Sequence, residues 1–376
     1  MNPAKAAARS SRAKPLLVWV LVPFVETDDP TLAAYSDYSQ SHDEFARAFA
    51  DLGIEWKWQL VTTQNYQAVI ESILLDSRRH SPVVFNLCDG DETHDVPGIS
   101  VVRYLDEVGV PYTGANEHFY HVTTSKIDMK LAFDQAGVPT SPWEVVERDA
   151  RSLHGLFKRH GSPLIVKPAV SAGSLGLTIK SVVSTATSLR EQLRSLHQGY
   201  HGWDLASGGV FVERFISGPE FTTLIVGSAD APERSTVYPP VERVFHAGLP
   251  LTERFLSFDR LWEVYEHESP IGDGQYLWEY QPAPAHLVER IGEVSWAAYA
   301  AVGGRGYGRV DLRMDAETGT LYVLEVNAQC GLSEDENHTS IGAILRFSER
   351  PFHSMVREIV SGALASRPAA SARRSA

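Results

Sequence analysis

Short apolar runs alternate with amphipathic stretches through the first third of the chain. Three such runs predict buried β-strands: 16–22, 54–60 and 83–87. The stretches between and after them have apolar residues at helical spacing and predict three helices: 42–52, 66–75 and 99–108. Strands interleaved with helices of this length indicate a parallel, doubly wound α/β sheet. Ligands bind such sheets beyond the carboxyl ends of the strands, so the loop 86–92 is a candidate edge of a site.

The pattern changes after residue 120, where helices and strands no longer alternate regularly. Further helices are predicted at 125–136, 189–196, 287–302 and 352–365. Further strands are predicted at 164–167, 177–183, 210–215, 220–226, 307–314 and 321–327. We therefore predict three domains, 15–120, 121–202 and 203–366, between disordered tails at 1–14 and 367–376.

The composition is that of a globular protein. Hydrophobic residues make up 43% of the 376 positions and charged residues 22%, which excludes a mainly disordered chain. The net charge of −13 repels phosphate backbones, so we expect no nucleic-acid partner. Cys88 and Cys330 are far apart in sequence and have no partners at zinc spacing, which favours a reducing compartment without a disulfide framework.

The first apolar run has two interpretations. Basic residues precede the stretch 16–25, as in a signal peptide, but no small-residue cleavage site follows it. A buried parallel strand explains the same run, and we favour it. No apolar run approaches the ~20 residues that a membrane span needs. We therefore expect a cytoplasmic protein without a membrane partner.

The strongest chemical pattern lies on the two strands that flank the turn at 317–319. Arg309 and Asp311 alternate on the first strand, and Glu325 and Asn327 alternate on the second. Because alternate side chains of a strand share a face, pairing of the strands would gather these four groups together. Two carboxylates and an amide oxygen suit Mg²⁺. The alternative is a solvated hairpin with alternating charges, and this pattern alone does not separate the two.

Two weaker patterns precede the hairpin. Lys167 ends an apolar strand and is followed by the small-residue loop 171–176, which would place an ammonium, backbone N–H groups and the Ser174 hydroxyl around phosphates. An ordinary surface turn is the alternative. The strand that contains Glu213 would offer backbone groups to an adenine edge, and Glu220 would offer a carboxylate to ribose. Taken alone, this segment is simply a strand and a turn.

Together and in this order, the patterns resemble the ATP-grasp superfamily and, within it, the D-alanine–D-alanine ligase family. The resemblance extends from about residue 83 to residue 360. Its matching segments are GVPYTG at 109–114, SKIDMK at 125–130, GVPT at 137–140, SGPEFT at 217–222, GYGRVD at 306–311 and LEVN at 324–327. It implies an α/β fold in which an N-terminal doubly wound parallel sheet is followed by the two α+β lobes of an ATP-grasp fold.

The resemblance also implies an ATP site. Lys126 and Lys167 would contact the α- and β-phosphates. Glu213 and Ile216 would frame the adenine, mostly through their backbone, and Glu220 would bind the ribose.

The same resemblance implies metal and catalytic residues. Two Mg²⁺ ions, for which Mn²⁺ is a substitute, would be held by Asp311, Glu325 and Asn327. Arg309 would face the acyl phosphate and the tetrahedral intermediate. The loop that contains Ser174 would close over the phosphates and keep water from the reaction.

The sequence departs from the family on the substrate side. Asp89 stands where the family usually has a histidine, and Glu26 is the nearest candidate for the glutamate that binds the donor's ammonium. No lysine follows Lys180, so Arg254 or Arg260 would replace the family's γ-phosphate lysine, or that contact is missing.

The acceptor segment departs furthest. Glu336 and Asn337 occupy the family's Ser-Leu pair, which receives the acceptor's carboxylate. Two anions would then meet, so either the acceptor is cationic or lacks a free carboxylate, or these acids point to solvent near a helix N-terminus.

We therefore predict an ATP-dependent ligase that joins small carboxylate and amine substrates, with an acceptor other than D-alanine. D-alanine–D-alanine ligase proper is one alternative, and a non-catalytic ATP-binding regulatory module is another. A homodimer is the default oligomeric expectation. The identity and chirality of the substrates do not follow from the sequence.

Overall fold

The computed structural model describes residues 14–27, 37–90, 92, 95–147, 153–171, 173–199, 204–261 and 275–366. Both predicted disordered tails lie outside these residues, except for Lys14. The strands within the described part are β1 Leu16–Pro23, β2 Glu55–Val61, β3 Ser81–Asn86, β4 Trp143–Val145, β5 Leu164–Pro168, β6 Val182–Val183, β7 Val210–Arg214, β8 Glu220–Ser228, β9 Thr236–Val237, β10 Val241–Phe245, β11 Trp278–Pro282, β12 Arg305–Met314 and β13 Leu321–Ala328. The helices are α1 Ser39–Leu52, α2 Tyr66–Asp76, α3 Ile99–Val108, α4 Glu117–Thr124, α5 Lys126–Ala136, α6 Leu156–His160, α7 Ala186–Gln198, α8 Phe258–Leu261, α9 Ala285–Ala301, α10 Ser340–Phe347 and α11 Phe352–Ala365.

The first sheet is parallel and has the order β2-β1-β3. Its central strand β1 is buried almost throughout, which explains why it reads as a continuous apolar run. The strand predicted at 16–22 is confirmed. Leu21 on β1 is in register with Asn86 on β3, so both strands end at the same edge. The loop that follows Asn86 lies at this edge, as the sequence predicts.

The second sheet is antiparallel, with the order β4-β7-β5-β6. The prediction of a strand over 177–183 is wrong for most of its length. Residues Ile179–Ser181 form a 3₁₀ turn, because the hydroxyls of Thr178 and Ser181 each accept from the other's backbone N–H. Only Val182–Val183 pairs with β5. The β-branched residues of this segment mimic a strand in sequence, but the reciprocal cap closes a turn.

The third sheet has the order β11-β10-β8-β12-β13, with β9 beside β8. One of its faces is apolar and carries Val310, Leu312 and Val326, which share a core with Phe133 of α5 and Ile291 of α9. Part of the opposite face is apolar as well, because Tyr307 of β12 and Leu224 of β8 belong to a further core. Arg309 and Asp311, which alternate with Tyr307 on β12, give the rest of that face its charged side chains and make it a candidate site.

A further core joins the first sheet to the C-terminal part of the chain. Val20 and Phe85 of the first sheet share it with Ile344 of α10 and Val356 of α11. The N-terminal sheet is thereby fixed against the lobe that contains β12 and β13. The three predicted domain boundaries stay predictions. Within the described ranges, no helix is both long and apolar enough to cross a bilayer.

Candidate active site

The hairpin of β12 and β13 brings its four polar residues to one face. Arg309 is in register with Asn327, and Asp311 is in register with Glu325. The register then shifts by one residue at Leu324, which forms a β-bulge. Gly319 closes the hairpin with a left-handed φ of 65°. The predicted pairing of these strands through the turn at 317–319 is confirmed.

Asp311 is the hub of this face. It accepts hydrogen bonds from Nε and Nη2 of Arg309, and Nδ2 of Asn327 donates to it over 3.0 Å. The same Nδ2 lies 3.3 Å from Glu325 Oε1. Burial alone would lower the pKa of Arg309, but the Asp311 carboxylate outweighs it, and the pKa lies above the usual arginine value. A permanent cation therefore stands beside two carboxylates.

Thr222 completes the hub and is a residue that the sequence patterns miss. Its hydroxyl donates to Asp311 Oδ1, and both side chains are buried. Thr222 is opposite Asp311 in the β8–β12 register. Its position two residues after Glu220 places both on one face of β8, which is the signal that could have identified it.

Lys126 reaches the hairpin from the start of α5. Its Nζ lies 3.6 Å from Glu325 Oε2 and donates to the Ser171 carbonyl over 2.8 Å. The lysine thus connects the carboxylates of β13 with the beginning of the small-residue loop. Sequence separation between these three residues is large, yet the structure brings them together.

Lys167 lies beside a buried carboxylate that two ammonium groups share. Its Nζ is 2.6 Å from Glu213 Oε1, and Lys130 Nζ is 2.5 Å from Glu213 Oε2. Burial alone would raise the pKa of Glu213, but the two lysines outweigh it and the pKa falls to about 2. Lys130 also donates to Thr140. Lys130 lies one helical turn after Lys126, but its role as a partner of Glu213 does not follow from the sequence.

Glu220 is likewise buried between two cations. Arg313 donates to its Oε2 through Nε and Nη2, and Arg243 pairs with its Oε1. Burial alone would raise the pKa of Glu220, but the guanidinium groups of Arg243 and Arg313 lower it. Arg313 also donates to the carbonyl of Ile216 over 2.8 Å. Ile216 and Glu220 are therefore held together by one arginine that the sequence patterns do not single out.

Ser174 lies in the small-residue loop with a left-handed φ of 62°. Its carbonyl accepts from the N–H of Leu177, which closes a turn. Two arginines named as replacements for the missing lysine are engaged within their own segment. Arg254 donates to the carbonyls of Ala247 and Leu249, and Arg260 is buried and pairs with Glu253 over 3.1 Å.

Asp89 and Glu26 lie at the carboxyl edge of the first sheet. The residue Asp89 is exposed as a whole, but protein atoms around its carboxyl group desolvate that group and raise its pKa to about 6. Tyr307 and Cys330 are close enough to Asp89 for its charge to raise their pKa values further. Glu26 is exposed and follows β1. Asp89 thus lies near the end of β13, whereas the structure shows no contact of Glu26 with that strand.

Glu336 and Asn337 are exposed just before α10. Glu336 lies 3.9 Å from Arg346. The neighbouring Asp335 accepts from the backbone N–H groups of Asn337 and His338, forming the turn that precedes the helix. These acids thus lie at the surface near the N-terminus of a helix, which is the alternative to a direct contact with the acceptor.

The two cysteines are buried and inert in this state. Desolvation raises the pKa of Cys330 to about 12 and that of Cys88 well above its usual value. Burial and the raised pKa both disfavour the thiolate, so these cysteines have the character of packing residues.

Comparison with known proteins identifies the family of the chain. The family model described as the D-ala D-ala ligase C-terminus matches residues 132–343, more than half of the chain. The chain belongs to this family. It is thus an ATP-grasp carboxylate–amine ligase of the D-alanine–D-alanine ligase type, an enzyme that forms peptide bonds with ATP and a divalent metal.

Individual proteins are similar to this chain in sequence or in fold. D-alanine–D-alanine ligase B of Xanthomonas campestris is 28% identical over 283 residues, which cover 75% of this chain and 78% of that protein. The uncharacterized protein y4sG of Sinorhizobium fredii is 29% identical over 269 residues, covering 68% of this chain and 67% of that protein. The fold is similar to that of D-alanine–D-alanine ligase from Bacillus anthracis complexed with ATP, with a TM-score of 0.64 and 19% identity over 94% of this chain and 99% of that chain.

The polar face of the hairpin formed by β12 and β13 has suitable donors for the divalent metal of the family. Asp311 and Glu325 supply carboxylate oxygens and Asn327 an amide oxygen, and Mg²⁺ is usually bound through one or two carboxylates together with substrate phosphates. No group of three His, Cys, Asp or Glu side chains at metal-binding distance occurs in the described part of the chain. The donor set therefore fits a cation that shares its coordination with phosphate oxygens.

Proposed function

We propose that this chain joins the carboxylate of one small amino-acid-like substrate to the amine of another through an acyl phosphate, releasing ADP and phosphate. The observation that carries the proposal is the convergence of Arg309, Asp311, Glu325 and Asn327 on one sheet face. Lys126 lies 3.6 Å from that set. A face on which carboxylates, an arginine and a lysine lie this close together is suited to a triphosphate and its metal.

The nucleotide side of the proposal uses the paired charges described above. Lys126 and Lys167 contact the α- and β-phosphates. Glu213 and Ile216 frame the adenine, and Glu220 receives ribose hydroxyls. A carboxylate has about four lone-pair sites, so Glu220 retains acceptor capacity beside its two arginines.

The metal side assigns Asp311, Glu325 and Asn327 as ligands. We propose two Mg²⁺ ions, with Mn²⁺ as a substitute. Bound there, the cations neutralise charge on the phosphoryl oxygens. Because Asp311 is also held by Thr222 and Arg309, its carboxylate is oriented before any ligand binds.

The reaction requires little covalent chemistry from the protein. The donor carboxylate attacks the γ-phosphorus, the bond to the β-phosphate oxygen breaks, and ADP leaves. The acceptor amine then attacks the carbonyl carbon, phosphate leaves, and the amine loses a proton. Arg309 stabilises the negative charge that develops on the carbonyl oxygen when the amine adds. The loop that contains Ser174 closes over the phosphates and excludes water from the acyl phosphate.

The substrate residues of the proposal are Asp89, Glu26, Glu336 and Asn337. We propose an acceptor other than D-alanine, because Glu336 and Asn337 replace the pair that receives an acceptor carboxylate in the family. D-alanine is the second candidate. Exposure of Glu336 and its proximity to Arg346 favour it, since an acid directed to solvent does not repel an acceptor carboxylate.

An ADP-release screen over single amino acids and pairs, with products identified by mass, tests the proposal. The panel includes D-alanine alone and basic acceptors beside D-alanine. ADP release that is accompanied by a product of the summed mass of two substrate molecules less water supports ligation. A D-alanyl-D-alanine product formed fastest would favour the second candidate. ADP release without any condensed product would contradict the proposed function.

A further inference from the structure

Gln329 is a buried polar residue at the end of β13 to which the proposed function assigns no role. It follows the proposed metal ligand Asn327 by two residues, and only 3% of it is exposed. Its φ is 51°, in the left-handed region that residues with a side chain rarely adopt. Such conformations persist where the surrounding contacts determine them, and they cluster at functional sites.

The contacts of Gln329 fix the orientation of its amide. Its Oε1 accepts from the N–H of Ala115 over 3.2 Å, and its Nε2 donates to the carbonyl of Cys88 over 3.1 Å. A backbone N–H requires an acceptor and a carbonyl requires a donor, so the oxygen and the nitrogen cannot be exchanged. Nε2 also lies 3.5 Å from the carbonyl of Asn86.

The surrounding backbone accommodates this one side chain. Gly114 has a φ of 88°, and a Cβ at that position would lie 2.8 Å from Cγ of Gln329. A side chain at 114 would therefore displace the amide. A second contact holds the loop that contains Asp89: the hydroxyl of Tyr120 donates to the carbonyl of Gly90 over 2.6 Å. Asp89 is thus the residue between two anchored carbonyls, those of Cys88 and Gly90.

We propose that Gln329 is a positioning residue that sets Asp89 relative to the metal-binding strand. The amide joins two segments 241 residues apart in sequence: the strand end after Asn327 and the loop that presents Asp89. This inference rests on the proposed function, because it assigns Asp89 to substrate binding. The donor bond from Nε2 to Cys88 holds the carboxylate where an amino-acid substrate meets the phosphoryl-transfer site.

A double-mutant cycle between Gln329 and Asp89 tests the inference. Gln329→Met keeps the length of the side chain but removes both hydrogen bonds. The assay uses ATP with D-alanine and with whichever amino acid drives ADP release in the screen. We expect the KM of Gln329→Met for the amino acid to be about tenfold higher than that of the wild type. Nucleotide affinity, measured by direct binding of ATP, should stay within about twofold. In the Asp89→Asn background the same substitution should change KM less than about twofold, because its target is gone.

Two further variants make the cycle decisive. Gln329→Glu still accepts from Ala115 but cannot donate to Cys88, so it should reproduce the Met effect and replaces that variant if the latter does not fold. Gln192 is another buried glutamine, bonded to Ser181 in the central lobe, and Gln192→Met is the matched control with expected wild-type KM values.

The outcomes separate the two proposals. If Asp89→Asn raises KM but the Gln329 effect adds to it in full, Gln329 does not act through Asp89. If Asp89→Asn has no effect while Gln329→Met does, both the substrate role of Asp89 and the inference are overturned. If no amino acid supports turnover, the proposed function fails. NMR titration of the Asp89 carboxyl in Gln329→Met, which adds no charge, then decides: an unchanged titration would overturn the inference, and a shift toward the ordinary aspartate value would support it.

Discussion

The guanidinium of Arg309 donates to both carboxylate oxygens of Asp311, at 3.1 Å from Nε to each and 2.9 Å from Nη2 to Oδ2. The two residues alternate on one strand, so the pair is formed by the backbone conformation and costs little side-chain reorganisation. A proposed metal ligand and the proposed oxyanion donor are thereby placed on one rigid element. Catalytic groups supported in this way are set before substrate binds.

Arg309→Ala should lower kcat by about 10²–10³-fold, because one donor to the developing oxyanion is lost. ATP affinity should stay within about twofold, since no phosphate contact is removed. Stopped assays for condensed product, together with direct ATP binding, measure the two effects. Arg190→Ala, at an exposed position on α7, is the control. Retention of full turnover in Arg309→Ala would show that its assigned role is wrong.

Glu325→Gln should raise the Mg²⁺ concentration for half-maximal activity by at least about tenfold, because a neutral amide replaces a charged oxygen donor. A titration of ADP release against Mg²⁺ measures it. Glu317→Gln is the matched control, since Glu317 is exposed at the turn of the same hairpin. An identical metal dependence for both variants would exclude Glu325 as a ligand.

Glu213→Gln should destabilise the protein by about 3–5 kcal/mol at neutral pH, because Lys130 and Lys167 lose their shared buried counter-charge. The pKa of Glu213 is lowered from 4.5 to about 2, so its ionised form stabilises the fold at pH values above 4.5. This stabilisation is lost as the pH falls from about 4.5 toward 2, and the difference between the two proteins should shrink over that window. Urea unfolding at a series of pH values measures it.

The control for this prediction is Glu191→Gln on the exposed side of α7, which should change stability by less than about 0.5 kcal/mol. A difference between wild type and Glu213→Gln that is independent of pH down to pH 2 would contradict the charge-pair explanation.

Substrate binding should depend on the ionisation of Asp89. Its pKa is raised to about 6, so the carboxylate is charged above pH 6 and neutral below it. If the charged form binds the substrate's ammonium, kcat/KM for the amino acid should fall tenfold per pH unit below about pH 6. The Asp89→Asn variant should have a lower kcat/KM than the wild type at high pH, and its kcat/KM should not show this fall below about pH 6. If kcat/KM of Asp89→Asn fell below about pH 6 as in the wild type, the pH dependence would belong to another group.

Local periodicity predicts much of the fold. The alternation of polar residues at 309 and 311, and at 325 and 327, places each pair on one face, and the turn residues set which strands meet. The 3₁₀ turn at Ile179–Ser181 escapes this reasoning because two hydroxyl caps outweigh the strand-like composition. Contacts of Glu220 with Arg243 and Arg313 also escape it, since they depend on how three strands align.

Other features near the proposed substrate residues depend on long-range contacts, so the sequence does not predict them. The amide of Gln329 meets Cys88 only because the first sheet packs against the C-terminal lobe through a shared core. Likewise, the solvent-directed position of Glu336 follows from the turn that Asp335 forms before α10. Neither relationship leaves a periodic signal in the chain.

The bulge at Leu324 lets β13 bury apolar residues that do not alternate regularly along the strand. Leu321 and Val323 are buried at odd positions, and Val326 is buried at an even one, so no regular strand could bury all three. The extra residue lets the half near the turn keep its apolar contacts while Glu325 and Asn327 face the opposite way. Deleting Leu324 would put Leu321, Val323 and Val326 at alternate positions of a regular strand, with Glu325 and Asn327 together on the other face. The apolar interior and the acidic cleft should therefore both survive the loss of this one residue, whereas inserting a residue elsewhere in the strand would turn one of them over.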